Sequence, residues 1–302
     1  LNRMRKEFIG VMVEEEMTMH TIVGNHDTYF KNHARLNSVE QLFDIDGIPN
    51  KDNPVIGYSE PTELELPDGY KVDLIPWIAD ENEVEIFDFI KASKNQVAFG
   101  HFDLYGFEMM KGVKSVYHSR SSDFLDKYDT VYSGHFHTKS NNGHIYYLGN
   151  TYEITWSDYN DQRGFHIFDT KTRELEFIQN PFHMFHKIYY DDENTQTMES
   201  IQAEDYSKYK DCYVKIVSVK KTNPFIFETL VDKLYKEGAE DISVVENFAE
   251  FENMNDIDDI DQAEDTMTIL SKYVNSMKID NKQELDTLMK SLYTEALAME
   301  TI

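Results

Sequence analysis

Three apolar runs of this chain end in the same way. TIVGNHDTYFKN (21–32), VAFGHFDLYG (97–106) and TVYSGHFHT (130–138) each run as a strand, reach a glycine and then present histidine. Side chains alternate between faces along a strand, but the turns just past several strand ends can reach one crevice. A fold that aligns these ends gathers Asn25, His26, His101, His135 and His137. YKVDLIPWI (70–78), HIYYLG (144–149), RGFHIFD (163–169) and ELEFI (174–178) read as further strands. Helical periodicity falls at 1–16, at 33–44 (Leu36, Val39, Leu42, Phe43) and at 81–93. Strands alternating with helices predict a layered α/β domain over 1–180.

After Asn180 the texture changes. KDCYVKIVSV (210–219) and ISVVEN (242–247) read as strands around a helix at 223–238. Asn223 supplies its N-cap, Pro224 its first position and Gly238 its stop. This strand–helix–strand unit predicts a small α+β capping domain over 181–248. Between Glu240 and Asp265 there are eleven acidic residues and no Lys or Arg, which reads as a solvated linker over 249–265. Amphipathic helices at roughly 263–277 and 282–299 form a helical region over 266–302, whose apolar faces suit a partner.

The formal net charge of −27 argues against broad nucleic-acid binding, because affinity for phosphate backbones comes from Lys and Arg. Much of that charge sits in the acidic run, and a bound divalent ion changes the local balance. The single cysteine, Cys212, cannot close an internal disulfide, which suits a reducing, cytoplasmic setting. No apolar stretch is long enough to span a bilayer.

Imidazole nitrogens and carboxamide oxygens are ligands for zinc, manganese or iron. Two such ions about 3.5–4 Å apart clamp a phosphodiester and activate a water for in-line attack. A histidine that is not a ligand can then serve as general acid toward the leaving oxygen. Each motif alone has an ordinary structural explanation, a turn or a buried histidine. Three in order, each at a strand end, point to a site.

The set resembles the calcineurin-like metallophosphoesterase superfamily, whose motifs run D-x-H, G-D-x-x-D, G-N-H-D/E, G-H, G-H-x-H. Within it the chain looks most like the nuclease subunits of SbcCD-type repair complexes, particularly those of T4-like phages. HTIVGNHDTYFKN, VDLIPWIADEN, GHFDLYGFEMMKG, YSGHFHT and RGFHIFDT carry the likeness, which spans most of 15–180. The resemblance implies a calcineurin-like sandwich and two divalent ions, manganese in the working enzyme. Asn25, His101 and His135 would hold one ion and His137 would help hold the other. His26 would be the catalytic acid, oriented by Asp27. The implied reaction is DNA phosphodiester hydrolysis, 3′-to-5′ exonuclease and endonuclease, in recombination and double-strand-break repair. The implied partners are DNA, a coiled-coil SbcC-type ATPase bound by the C-terminal helices, and a second copy through the nuclease domain. The setting would be host cytoplasm if phage-encoded.

The sequence departs from this pattern in one respect. It contains no D-x-H and no Gly-Asp dipeptide. The expectation is therefore an N-terminally truncated chain, missing the first strands of its sheet, that binds metal weakly and does not cleave DNA. Two alternatives stand beside the nuclease reading: a phosphoprotein phosphatase or cyclic-nucleotide phosphodiesterase, which shares the three motifs, and a non-catalytic scaffold that docks an ATPase. His20 and His166 lie within strands and read as packing or surface residues, and His183 and His186 as a crossing between domains. Lys111, Lys114, His118 and Arg120 form a basic patch that suits either phosphate contact or an ordinary solvated loop. Trp77 and Trp156 read as core.

Overall fold

The computed structural model describes residues 5–30, 33–43, 54–110, 113–115 and 119–246, with 274, 281–283, 285, 288 and 289 beyond them. The fold is mixed α/β. It divides into two compact units, Leu1–Tyr152 with Asn160–Phe182, and Glu153–Tyr159 with His183–Ile302. Among the described residues no helix is long and apolar enough to cross a membrane.

The first unit opens with a π-helical turn, Arg5–Ile9, running into α1 (Gly10–Glu14). β1 (Met19–Ile22) pairs in parallel with β2 (Val55–Tyr58). The main sheet comprises β3 (Thr62–Glu65), β4 (Lys71–Ile75), β5 (Val97–His101), β6 (Thr130–Gly134), β7 (Ser140–Asn141) and β8 (Ile145–Tyr147). Their order is β7-β8-β6-β5-β4-β3. β8, β6, β5 and β4 run parallel, and antiparallel β7 and β3 close the edges.

Central parallel strands are covered on both faces, so they are continuous apolar runs rather than alternating ones. Val131, Tyr132 and Ser133 of β6 are all buried. On one face Ile75, Ala98, Val131 and Ile145 pack with Phe102, Leu125, and Ile86 and Ile90 of a helix, Glu83–Ala92. On the other, Val72, Leu74, Val97 and Tyr132 meet Phe168 and Leu175. These two come from an antiparallel hairpin of β9 (Gly164–Phe168) and β10 (Leu175–Gln179). Asp73 is buried inside this sheet, where its carboxylate accepts from the Tyr128 hydroxyl (2.6 Å) and the Asn95 amide (2.6 Å).

The helix expected at 33–44 is shorter than its periodicity. His33–Asn37 is a strand paired with Thr28–Phe30, and the helix covers only Ser38–Phe43. Asn37 is the reason. Its buried side chain accepts from Glu40 N–H (2.8 Å) and donates to the Ala34 carbonyl (2.9 Å), an N-cap that starts the helix one residue later.

The second unit is a three-stranded parallel sheet in the order β11 (Phe185–Asp191), β12 (Tyr213–Lys220), β13 (Asp241–Val245). Residues 183–186, read from sequence as a crossing, thus lead into and begin a strand. Ile201 of the helix Met198–Ala203 and Phe227, Leu230 and Leu234 of the helix Pro224–Glu237 pack on Tyr190 and Ile216. The second helix is bounded as its sequence dictates. Asn223 accepts from Phe225 N–H (3.1 Å), and Gly238 takes φ 93°, which a side chain would resist. The acidic linker and the two terminal helices lie outside the described residues, apart from the isolated positions above.

Candidate metal centre

Sheet pairing brings two of the three motifs together directly. β5 and β6 are parallel neighbours, and their register sets Gly134 opposite His101. The third motif follows β1, outside the main sheet. Its approach is fixed by a backbone bond, in which Trp77 N–H donates to the Val23 carbonyl (2.8 Å) just past the end of β4. The three ends meet at Asn25. Its Oδ1 lies 2.8 Å from His101 Nε2 and 3.2 Å from His135 Nδ1. The two imidazoles are 5.2 Å apart at their centroids and nearly perpendicular.

The glycines of the motifs have a steric role. A Cβ on Gly24 would lie 2.9 Å from the His101 ring, and one on Gly134 would lie 3.1 Å from it. The ring therefore sits tightly against both glycines, most closely at Gly24. Gly100 makes room differently, since a Cβ there would stand 2.2 Å from the Phe102 ring. His135 has φ 86°, a left-handed conformation costly for a residue with a side chain and often found at functional sites. The loop after His101 is strapped to its neighbours. Ser133 Oγ accepts from Phe102 N–H, and the Tyr147 hydroxyl accepts from Leu104 N–H and donates to the Phe102 carbonyl.

Burial holds both rings in the form that ligates metal. The His101 pKa falls to about 3, chiefly through burial and secondarily through His135 and His26. Burial also lowers that of His135; Asp103 opposes this, while His26 and His137 add to it. Neutral imidazoles and a carboxamide oxygen are donors that a divalent first-row ion accepts. Their convergence on one oxygen, within 3.2 Å, suits an ion with ligand bonds of about 2.1 Å. The residues thus fit a metal as an Asn-His-His set. Among the described residues no group of three or more His, Cys, Asp or Glu is arranged to hold one.

The remaining predicted residues are placed around this triad. His26 is exposed and makes no hydrogen bond among the described residues, but is near enough to His101 and His135 to depress both. No hydrogen bond joins Asp27 to His26 among the described residues. Its carboxylate accepts from Gly24 N–H (2.8 Å) and the Ser38 hydroxyl (3.3 Å), so it braces the turn that carries Asn25. His137 is half-buried, and its carbonyl accepts from Asn150 N–H (3.0 Å) and the Arg163 guanidinium. Arg163 is itself buried and paired with Asp161 (3.2 Å), which also accepts from Thr138.

Sequence reasoning missed Trp77, Asp103 and Arg163. Trp77 lies 5.4 Å from the His135 ring and 6.1 Å from the His101 ring, so it belongs to the site rather than to the core alone. The available signal was its place, directly after a strand end at Ile75–Pro76. Asp103, two residues past His101, lines a cleft with Trp77, His101 and Arg120. Arg120 is paired with Glu83 and lies over the Phe87 ring, which accounts for its charge without phosphate. Lys114 is exposed, and Lys111 and His118 lie outside the described residues.

Four further histidines have structural partners. His20 bonds the Tyr58 hydroxyl (2.8 Å), His166 packs on Phe177, and His186 meets the Tyr209 ring edge-on. His183 pairs with Glu153 (3.1 Å). Trp156 packs on Phe185 and beneath the Lys215 ammonium in the second unit.

No family model matches the chain. It is similar to exonuclease subunit 1 of Enterobacteria phage T4, at 32% identity over 295 residues, covering 96% of this chain and 80% of that protein. Likeness of that extent runs through both units and all three strand-end motifs, and the chain belongs to the family of the phage T4 exonuclease subunit 1.

Proposed function

We propose that this chain is the nuclease subunit of a DNA recombination and repair complex, a calcineurin-like metallophosphoesterase with 3′-to-5′ exonuclease and endonuclease action. The observation that carries this reading is the convergence of Asn25, His101 and His135 at three strand ends. Their relation to a protein named as an exonuclease subunit supplies the substrate class. Asn25, His101 and His135 hold one divalent ion and His137 helps hold a second, manganese in the working enzyme. When bound, the pair supplies positive charge to the phosphodiester and a water acidic enough to attack it. His26, exposed beside the triad, donates a proton to the leaving oxygen. Arg163 and Asn150 fix the His137 backbone, and Asp27 fixes the turn that presents Asn25 and His26.

The relative is named a subunit. For this chain the corresponding partner is an ATPase with long coiled coils, gripped by the C-terminal helices, and the nuclease domain pairs with a second copy. These 302 residues give one ion three side-chain ligands and the other only His137, with no D-x-H or G-D-x-x-D to complete the pair. We expect this chain alone to bind metal weakly and to leave DNA intact.

The test uses linear duplex DNA, manganese and two proteins: this chain, and the same chain extended by a segment carrying D-x-H and G-D-x-x-D. Release of nucleotides by the extended protein, lost in His26→Ala, supports the nuclease reading. Hydrolysis of phosphopeptides or cyclic nucleotides with DNA untouched overturns it. Cleavage by the unextended chain, abolished by the same substitution, overturns the expectation of inactivity.

A further inference from the structure

We infer that Trp77 is the positioning residue that assembles the Asn25–His101–His135 triad, an inference that rests on the metal-centre reading above. Strand pairing brings two of the three ligands together, but it does not bring the third to them. His101 and His135 end or follow adjacent strands of the main sheet, whereas Asn25 follows β1, which among the described residues pairs only with β2. Trp77 makes contact with all three ends. Its backbone N–H donates to the carbonyl of Val23, two residues before Asn25. Its indole packs against His135 at 5.4 Å and 31°, and against His101 edge-on at 6.1 Å and 75°.

The local backbone explains why such a support is required. His135 sits at φ 86°, and a residue held in that region persists only when its surroundings over-determine it. The register of β5 and β6 does not do so, because it ends at Gly134. The Phe136 ring also lies 5.0 Å from the His135 ring and is itself stacked on Tyr147. Two aromatic side chains thus pack against the imidazole, one fixed by the sheet and the other by the loop after β4. Gly24 and Gly134 leave space for the His101 ring, and Trp77 closes that space at the ring's edge. Aromatic contacts of this kind constrain a ring without consuming its nitrogen lone pairs, which a hydrogen bond would do.

The ring's contribution separates from the backbone's, since every substitution except proline keeps the N–H that bonds Val23. Trp77→Ala removes the ring, and Trp77→Phe keeps an aromatic face. Groups that orient metal ligands without touching the metal are worth on the order of 10- to 100-fold in metal affinity. The experiment measures manganese affinity by calorimetry in the chain extended by D-x-H and G-D-x-x-D, as wild type, Trp77→Ala and Trp77→Phe. In the same metal-free proteins it measures the proton shifts of the His101 and His135 rings, which an adjacent indole displaces. The expected result is an affinity loss of about tenfold or more in Trp77→Ala, with most of it restored by Trp77→Phe. The His ring shifts should collapse toward ordinary values in Trp77→Ala while circular dichroism is unchanged.

A folded Trp77→Ala protein with wild-type affinity overturns the inference and leaves the metal centre standing. Wild type that binds no manganese overturns the metal-centre reading and the inference with it. If Trp77→Ala does not fold, a third measurement decides. Only two tryptophans are present, so Trp156→Phe leaves Trp77 as the sole indole emitter. Manganese should then quench its fluorescence with the same midpoint as the calorimetric titration. Absence of quenching overturns the inference.

Discussion

The ends of the two parallel sheets treat their polar groups in opposite ways. In the second unit they are consumed locally. Glu153 is 1% exposed, and its carboxylate accepts from Met184 N–H (2.7 Å), Phe185 N–H (3.0 Å) and His183. Asp192 accepts from Thr222 N–H, Asn223 N–H and the hydroxyls of Thr222 and Tyr190. In the first unit, Asn25, His101 and His135 meet one another, and their rings are kept neutral by burial. A carboxylate ringed by backbone N–H groups is structural, since each bond replaces one lost to water. Donor atoms from distant segments that converge on one another, with steric space cleared by glycine, are arranged for something that sits among them. This difference separates His183, whose ring pairs with Glu153, from His101 and His135, whose rings meet Asn25.

The comparison can be broken by substitutions on either side. The largest effect belongs to His26→Ala in the motif-complete chain. DNA hydrolysis should fall by roughly 10²- to 10⁴-fold with manganese affinity unchanged, in single-turnover and calorimetric measurements. Next is Gly24→Ala. Its φ lies outside the left-handed region, so the added methyl strains only the His101 ring 2.9 Å away. Manganese affinity should drop about tenfold, as for other displaced ligand supports, while thermal stability changes little. In the second unit the order reverses. Glu153→Ala strands two N–H groups and should cost about 3 kcal/mol in denaturant unfolding of that unit, with metal affinity intact. Smallest is Asn223→Ala, which removes a helix cap and should cost about 1 kcal/mol by the same measurement. Loss of metal affinity in Glu153→Ala would erase the distinction between the two regions.

Much of the first unit was readable because its strands are apolar runs that end in glycine. The strands Val97–His101 and Thr130–Gly134 begin where the runs VAFGHFDLYG and TVYSGHFHT begin. The helix at 224–237 was equally legible, since Asn-Pro at one end and Gly at the other are local signals. The segment 33–44 misled because its apolar spacing suits a helix, while a side-chain cap from Asn37 moves the start to Ser38. Residues 183–186 were read as the crossing between domains, and the boundary between the two units falls at Phe182/His183, but the buried Glu153 carboxylate thirty residues upstream that organises them has no local sequence signal. Asp27 was assigned to His26 by resemblance, and the bonds its oxygens accept from Gly24 N–H and the Ser38 hydroxyl are ones that no sequence pattern reports.

The sequence by itself determined which residues can carry chemistry here. Gly-Asn-His, Gly-His and Gly-His-x-His are local patterns, and the need for glycine beside a ring is written into each. What only the tertiary structure decided is which of those residues meet, and what makes them meet. Asn25 and His135 are 110 positions apart and share a 3.2 Å contact because one strand is hung from another through Trp77. A strand's sequence specifies its own faces, but side-chain convergence depends on the pairing and register of other strands. The indole that joins these ends therefore reads, in one dimension, as one more apolar residue after a strand.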